Sequence, residues 1–395
     1  MEKIMKLLVN WKIYALLLSV LVLLLSLLPI TLRKVPIYQP PSTREIFGWG
    51  TMPQKTAASL QSVLDADVNR FGILGLQVAF QDANGSAWYG VSGTIDPQRR
   101  IPMQPDHILR IGSATKTFTA VVILQLVEEG NLRLNDKLVN WFPDYQNAQT
   151  ITIRNLLSHR SGIYEILENP AVRFSLFFPQ KIWQPHELVD IAMQEKPHEL
   201  GKYYYSNTNY ILLGLIAEQI TGQEMATLYR QRIFEPLGLQ NTWFVPYETT
   251  PANLISGYDR DLIPLPGLYE LRPNSFSAAT AAFTSGAMVS TAEDLLKFYT
   301  GLFSNRLLSP VSLEAMTTFY DASDPGTPQL TGYGLGLFQL EINGEVVWVS
   351  LGEFIGFMTI IAYSPSEHDI VAIIGNLSLF DYVSVWTDLV DTSRR

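Results

Sequence analysis

The chain has 395 residues, 47% of them apolar and 16% charged, which excludes a mostly disordered protein and leaves room for one large domain or two smaller ones with a substantial core. It contains no cysteine, so thiolate nucleophiles, cysteine-ligated zinc and disulfides are excluded. Residues 1–34 hold five basic residues and one acid, which leaves 23 basic against 36 acidic residues in the remainder; a body this acidic repels phosphate backbones and argues against nucleic acid as a partner.

Ile13 to Leu32 (IYALLLSVLVLLLSLLPITL) is a run of 20 residues without a charge, the length of one bilayer crossing. It lacks the polar stripe of a core helix and the small-residue site of a cleaved leader. With Lys3, Lys6 and Lys12 before it, it predicts a single-pass signal-anchor in the cytoplasmic membrane, spanning 1–34. The bulk of the chain then lies on the extracytoplasmic (periplasmic) side. Residues 35–53 are proline-rich and read as an extended spacer, leaving 54–395 as one domain.

Leu60, Val63, Leu64, Val68 and Phe71 recur at helical spacing and predict a helix over Gln54–Arg70. Leu76, Val78 and Phe80 alternate with polar residues, Asn84-Gly85 signals a tight turn, and Ala87–Ser92 returns as a second strand. Thr115–Glu128 is helical and stops before Gly130. Residues 131–275 read as mainly helical, with loops rich in proline and aromatic residues. Gly334–Phe338, Val346–Val349, Met358–Tyr363 and Ile370–Ile374 read as short strands, and Phe380, Val383, Trp386 and Val390 predict a closing helix. Strands at both ends of a helical middle point to one sheet assembled from distant segments, an α+β architecture.

Two stretches can carry chemistry. Arg110–Ala120 reads RIGSATKTFTA, and Lys116 lies one helical turn after Ser113, so a lowered lysine pKa would make it the base for a serine nucleophile. The same pattern is equally a helix cap followed by a solvated lysine. The second stretch, Tyr203 to Gly222, contains Tyr205-Ser206-Asn207 just before an apolar helix, offering a phenol to move protons and an amide to hold a lysine or a substrate carbonyl. Tyr145-Gln146-Asn147 matches the same short pattern, but it follows Phe142-Pro143-Asp144 and reads as a surface turn. The five histidines show no metal-ligand spacing, no G-x-S-x-G elbow is present, and the acids show no pairing beyond a solvated surface. No cofactor or metal is expected.

Taken in order, these blocks resemble the serine beta-lactamase and DD-peptidase superfamily, in its class C-like, penicillin-binding branch. RIGSATKTFTA is followed by ITIRNLLSHRSG (151–162), YYYSNTNYILLGLIAEQITG (203–222), IFEPLGL (233–239), STAEDL (290–295) and YGLG (333–336). The resemblance covers about 54–395 and implies an antiparallel sheet flanked by terminal helices, with a mainly helical insertion. It implies that Ser113 is acylated, Lys116 is the general base, Tyr205 shuttles protons, and Asn207 orients Lys116 and the substrate amide. It also gives His159 a structural place in its loop.

The third motif departs from the family. Relatives carry Lys-Thr-Gly or His-x-Gly on the strand lining the site; here Ser350-Leu351-Gly352 stands there, and no Lys or Arg occurs anywhere in 307–392. Ser350 and Gly352 are expected to bind substrate, Ser350 as a neutral donor in place of a cation, which makes a weak clamp for a carboxylate. Gly352 would let the N–H of Glu353 pair with that of Ser113 as an oxyanion hole. The reading is a membrane-anchored serine hydrolase for a small-molecule or peptide ester or amide, extending to D-amino-acid peptides and beta-lactams. Its alternative is a non-catalytic binding or scaffold module that retains the fold.

Overall fold

The computed structural model describes residues 50–176, 178, 180–260, 268–273, 275–324 and 327–395. The predicted anchor and nearly all of the spacer lie outside them. No helix among the described residues is long and apolar enough to cross a membrane.

A nine-stranded antiparallel sheet forms the centre, in the order β3-β2-β1-β14-β13-β12-β11-β10-β9. Its strands are β1 (Gly75–Gln81), β2 (Ala87–Asp96), β3 (Ile101–Pro102), β9 (Tyr320–Asp321), β10 (Leu330–Tyr333), β11 (Phe338–Ile342), β12 (Glu345–Phe354), β13 (Phe357–Tyr363) and β14 (Ile370–Gly375). Short pairs elsewhere account for β4 (Leu109–Arg110), β5 (Trp243–Phe244), β6 (Gly257–Asp259), β7 (Tyr269–Leu271) and β8 (Met288–Ser290). β1, from the start of the domain, pairs with β14 from its end, as Leu76↔Gly375 through Gln81↔Ile370.

Helices cover both faces, which is why the central strands are apolar runs rather than alternating ones. On one face α1 (Gln54–Arg70) and the closing helix α6 (Tyr382–Ser393) pack Leu60, Leu64, Val385 and Leu389 onto Val78, Ile360 and Ile373. On the other, α2 (Thr115–Glu128) and α5 (Ala292–Phe303) bring Phe118, Val121, Leu295 and Phe298 onto Ala79, Ile361 and Ile374. α2 is buried nearly all round, so it is a core helix that carries the reactive turn at its N-terminal end. The segment from 131 to 275 is largely helical, with α3 (Ile153–Leu157) and α4 (Asn207–Thr221) nearest the site, but it also contributes β5, β6 and β7.

Three expectations change. Gly334–Phe338 is mostly the link between β10 and β11, not a strand. Tyr145 lies in a turn but is buried, because its ring packs into the main core. The acids are not all solvated. Asp67 on α1 is buried next to the Asp388 carboxylate of α6. Desolvation first, then the Asp388 charge, push the Asp67 carboxyl up to about 7. A raised pKa means the folded state binds this proton more tightly than the unfolded chain; the stability it contributes is complete below about pH 4 and is lost as pH rises through about 7. Asp67→Asn is therefore expected to stabilise the fold by about 1 kcal/mol at pH 8, after allowance for solvent screening, and by nothing near pH 4. Urea unfolding at the two pH values checks this.

Candidate active site

Ser113 sits in the 3₁₀ turn Gly112–Ala114 that leads into α2, and neither this turn nor α2 is capped by a side chain. Lys116 is 2% exposed, so it is not a solvated surface lysine. Its Nζ lies 2.9 Å from Ser113 Oγ, 2.7 Å from Asn207 Oδ1 and 2.8 Å from the Ser285 carbonyl oxygen. Burial lowers its pKa to about 7, against an opposing pull from Glu165. A neutral amine has two N–H donors and one lone pair. The two carbonyl oxygens take the donors, and the lone pair is left facing the Ser113 hydroxyl.

The Tyr205 phenol lies beside Ser113, and Lys116 Nζ stands 4.9 Å from its ring centroid. Desolvation raises the phenol pKa well above its ordinary value, although the neighbouring Ser113 hydroxyl opposes this. Tyr205 is thus held as a proton donor beside an amine held as an acceptor. Two groups whose pKa values are pushed towards opposite roles mark an acid and a base.

The loop from His159 to Glu168 positions Tyr205 and Asn207. The His159 carbonyl takes the Tyr204 N–H at 2.8 Å, and His159 Nδ1 accepts the Ser206 N–H at 3.1 Å. Asn209 Nδ2 lies 3.2 Å from the same nitrogen. Burial holds the imidazole pKa well below its usual value, so His159 is a neutral brace. The Tyr164 carbonyl takes the Ser206 and Thr208 hydroxyls, and Glu165 accepts from both Asn207 N and Asn207 Nδ2. Ser285, at the end of the 3₁₀ turn Phe283–Ser285, supplies its carbonyl to Lys116. That turn is bolted down by Thr119 Oγ1–H to Thr284 O (2.6 Å) and Thr284 Oγ1–H to Tyr210 O (2.7 Å). Glu165 and the Ser285 carbonyl were both missed in the sequence.

β12 closes the other side. β11 pairs with it only as far as Phe338↔Val349, so the edge from Ser350 to Glu353 is open to the Gly112–Ala114 turn. The two-residue turn Ile355-Gly356 makes Phe354↔Phe357 the hydrogen-bonded pair next to it. Glu353, opposite Met358 in the following non-hydrogen-bonded pair, therefore turns its N–H away from β13. Contact here is backbone to backbone. A Cβ on Gly352 would lie 1.9 Å from Ile111 O, and one on Gly112, at φ +51°, 2.3 Å from Glu353 O.

Ser350 does not reach the cavity. Along β12, Val347 and Val349 face the terminal helices, so Ser350 faces the opposite layer, where it is buried. Its Oγ accepts from Tyr299 at 2.6 Å and also bonds Thr117. This interior hydroxyl knot leaves nothing to donate to a substrate, which corrects the substrate-binding expectation for Ser350. Gly352 contributes clearance rather than contact.

The cavity over Ser113 holds about 530 Å³. Ser113, Tyr205, Asn207, Ser285 and Gly286 line it beside an apolar wall of Leu167, Leu176, Ala278, Ala282, Phe354, Ile355 and Leu379. Its charged lining residues are Asp259 and Glu353, with no Lys or Arg among the described lining residues. Desolvation, then Asp259, raise the Glu353 pKa.

The Beta-lactamase family profile matches residues 60–386. The chain is similar to the "Putative penicillin-binding protein PbpX" of Bacillus subtilis (strain 168), 28% identical over 72% of this chain and 66% of that protein. It is also similar to the "Teichoic acid D-alanine hydrolase" of Staphylococcus aureus, 28% identical over 55% of this chain and 51% of that one. The chain thus spans half to two thirds of these curated relatives. Among solved structures, D-amino acid amidase from Ochrobactrum anthropi SV3 complexed with L-phenylalanine amide superposes with a TM-score of 0.77 at 29% identity, covering 86% of this chain and 98% of that one. With the family match extending over most of its length and the fold shared over 86% of it, the chain belongs to the Beta-lactamase family.

Proposed function

We propose that the protein is a serine hydrolase that works through an acyl-enzyme on Ser113, taking an ester or amide of an amino acid whose α-amine is free. The contact that carries this reading is Lys116 Nζ at 2.9 Å from Ser113 Oγ, with both of the amine's other sites taken by carbonyl oxygens. Ser113 Oγ attacks the substrate carbonyl and its proton passes to Lys116. The N–H groups of Ser113 and Glu353 hold the resulting oxyanion. As the C–N or C–O bond breaks, the Tyr205 phenol gives its proton to the leaving group and regains one from Lys116. Water then repeats the sequence on the acyl-enzyme and releases Ser113.

Charge narrows the substrate. No Lys or Arg is among the described residues lining the cavity, its charged lining residues are acids, and Ser350 stands where relatives keep a cation, so a substrate carboxylate finds no clamp. An ammonium is favoured. The names of the relatives, a D-amino acid amidase and a teichoic acid D-alanine hydrolase, point to the same substrate class. The same proposal holds the domain at the outer face of the cytoplasmic membrane, with Ile13–Leu32 as its uncleaved anchor.

A fluorophosphonate is expected to leave a mass adduct on Ser113 that is absent from Ser113→Ala. D-Alanine and D-phenylalanine amides and aryl esters are expected to turn over at least tenfold faster than their N-acetyl forms and than a chromogenic cephalosporin. No adduct together with no ester or amide hydrolysis would leave the non-catalytic binding module as the reading. Faster turnover of the N-acetyl forms would reverse the assignment of charge.

A further inference from the structure

The loop over Tyr164–Glu168 buries a carboxylate that the acyl-transfer steps do not consume. Glu165 is 8% exposed, and neither oxygen contacts Ser113. One oxygen accepts the Asn207 backbone N–H; the other accepts Asn207 Nδ2–H and Leu167 N–H, each at 2.9 Å. These three bonds decide how the Asn207 amide lies. Its two ends are alike in shape and opposite in hydrogen bonding. A carboxylate only accepts, so the NH₂ end faces Glu165 and the carbonyl end faces Lys116, at 2.7 Å. The reverse orientation would set oxygen against carboxylate and NH₂ against the lysine amine.

We propose that Glu165 is a positioning residue of this site: by fixing the Asn207 amide it aims the Lys116 lone pair at Ser113, and its charge sets the pH at which Lys116 becomes a base. The inference rests on the reading of Ser113 as the acylated nucleophile. The groups around Lys116 are few. Glu165 lies behind Asn207, the rings of Tyr205 and Tyr210 lie 4.9 and 5.6 Å from Nζ, and neutral His159 packs its ring 4.3 Å from that of Tyr205. Around Glu165 are Lys116 and the phenols of Tyr164, Tyr204 and Tyr205. Of the groups facing Lys116, Glu165 is the acid. Desolvation lowers the lysine pKa and the Glu165 charge raises it, so loss of that charge lowers it further.

Glu165→Gln removes the charge and also turns an NH₂ towards donors of Asn207. With the full-length protein in detergent and a D-alanyl aryl ester, kcat/KM is expected to fall roughly 100-fold, the scale of a misplaced catalytic group. The acid limb of its pH profile moves to lower pH. Glu165→Asp keeps the charge but withdraws it by one methylene; its rate falls while the limb stays at the wild-type position. A merely structural role would reduce the fraction of sites titrated by fluorophosphonate and leave the limb in place for both variants. A wild-type limb in Glu165→Gln overturns the inference. If that variant does not fold, a wild-type rate per titrated site in Glu165→Asp overturns it instead. Failure of the underlying reading shows separately, as absence of any adduct on Ser113 in the unaltered protein.

Discussion

Lys116→Met is expected to lower the rate of Ser113 acylation by about 10³-fold, within the range a positioned general base contributes. Methionine fills nearly the same volume without a lone pair, so the Ser113 proton has no acceptor at 2.9 Å. It also leaves Asn207 Oδ1 and the Ser285 carbonyl without a donor inside the protein, which costs stability on the order of 1–3 kcal/mol. Single-turnover acylation by an aryl ester separates the two effects, because it reads the folded sites alone. The unaltered protein supplies the matching pH signature. Only the neutral amine is a base, so activity rises as pH climbs through about 7, where burial has placed the lysine pKa. A solvated lysine would place that limb above pH 10. Tyr205 adds no falling limb below pH 10, because it keeps its proton well beyond its ordinary pKa; a fall above about pH 8 would report the substrate's own α-ammonium. A profile flat between pH 5 and 9 would remove Lys116 from the base role.

Gly352→Ala is the second large effect, and it acts through one methyl group. The new Cβ would stand 1.9 Å from Ile111 O and 3.0 Å from Ala114 N, both backbone atoms that no side-chain movement relieves. β12 must withdraw from the Gly112–Ala114 turn, and the Glu353 N–H withdraws with it from the Ser113 N–H. Loss of one oxyanion donor corresponds to a fall of 10²- to 10³-fold in kcat. The overpacked contact also costs roughly 1–3 kcal/mol of stability. Ester turnover and fluorophosphonate labelling are expected to slow together, since the phosphoryl oxygen uses the same two donors. Unchanged kcat in a folded Gly352→Ala would show that the β12 edge is no part of the reacting site.

Local periodicity located much of the scaffold. α1 and α2 occupy Gln54–Arg70 and Thr115–Glu128, because each buries a stripe or a whole surface whose spacing is written in consecutive residues. The ordered blocks likewise brought Ser113, Lys116, Tyr205 and Asn207 forward as a set, and the structure gathers all four: Lys116 bonds Ser113 and Asn207, and its amine lies by the Tyr205 ring. The 334–338 segment failed because Leu335 and Leu337, two apart and both buried, mimic a strand face and outweigh the turn signal of Gly334 and of Gly336, which lies at φ +93° in the link from β10 to β11.

What the sequence by itself determined is which side chains are available: a serine with a lysine one turn later, a Tyr-x-Asn, and no cation where the third motif stands. What only the tertiary structure decided is where their polar atoms point. Ser350 turns inward because β12 register places it on the face covered by α2 and α5, where Tyr299 and Thr117 consume its hydroxyl. The Ser285 carbonyl becomes a ligand of the lysine although a backbone oxygen has no signature in sequence. Glu165 meets Asn207 from 42 positions away because the loop after His159 folds over the start of α4. Hydrogen bonds depend on direction as well as identity, and direction is set by packing between layers that are distant in the chain.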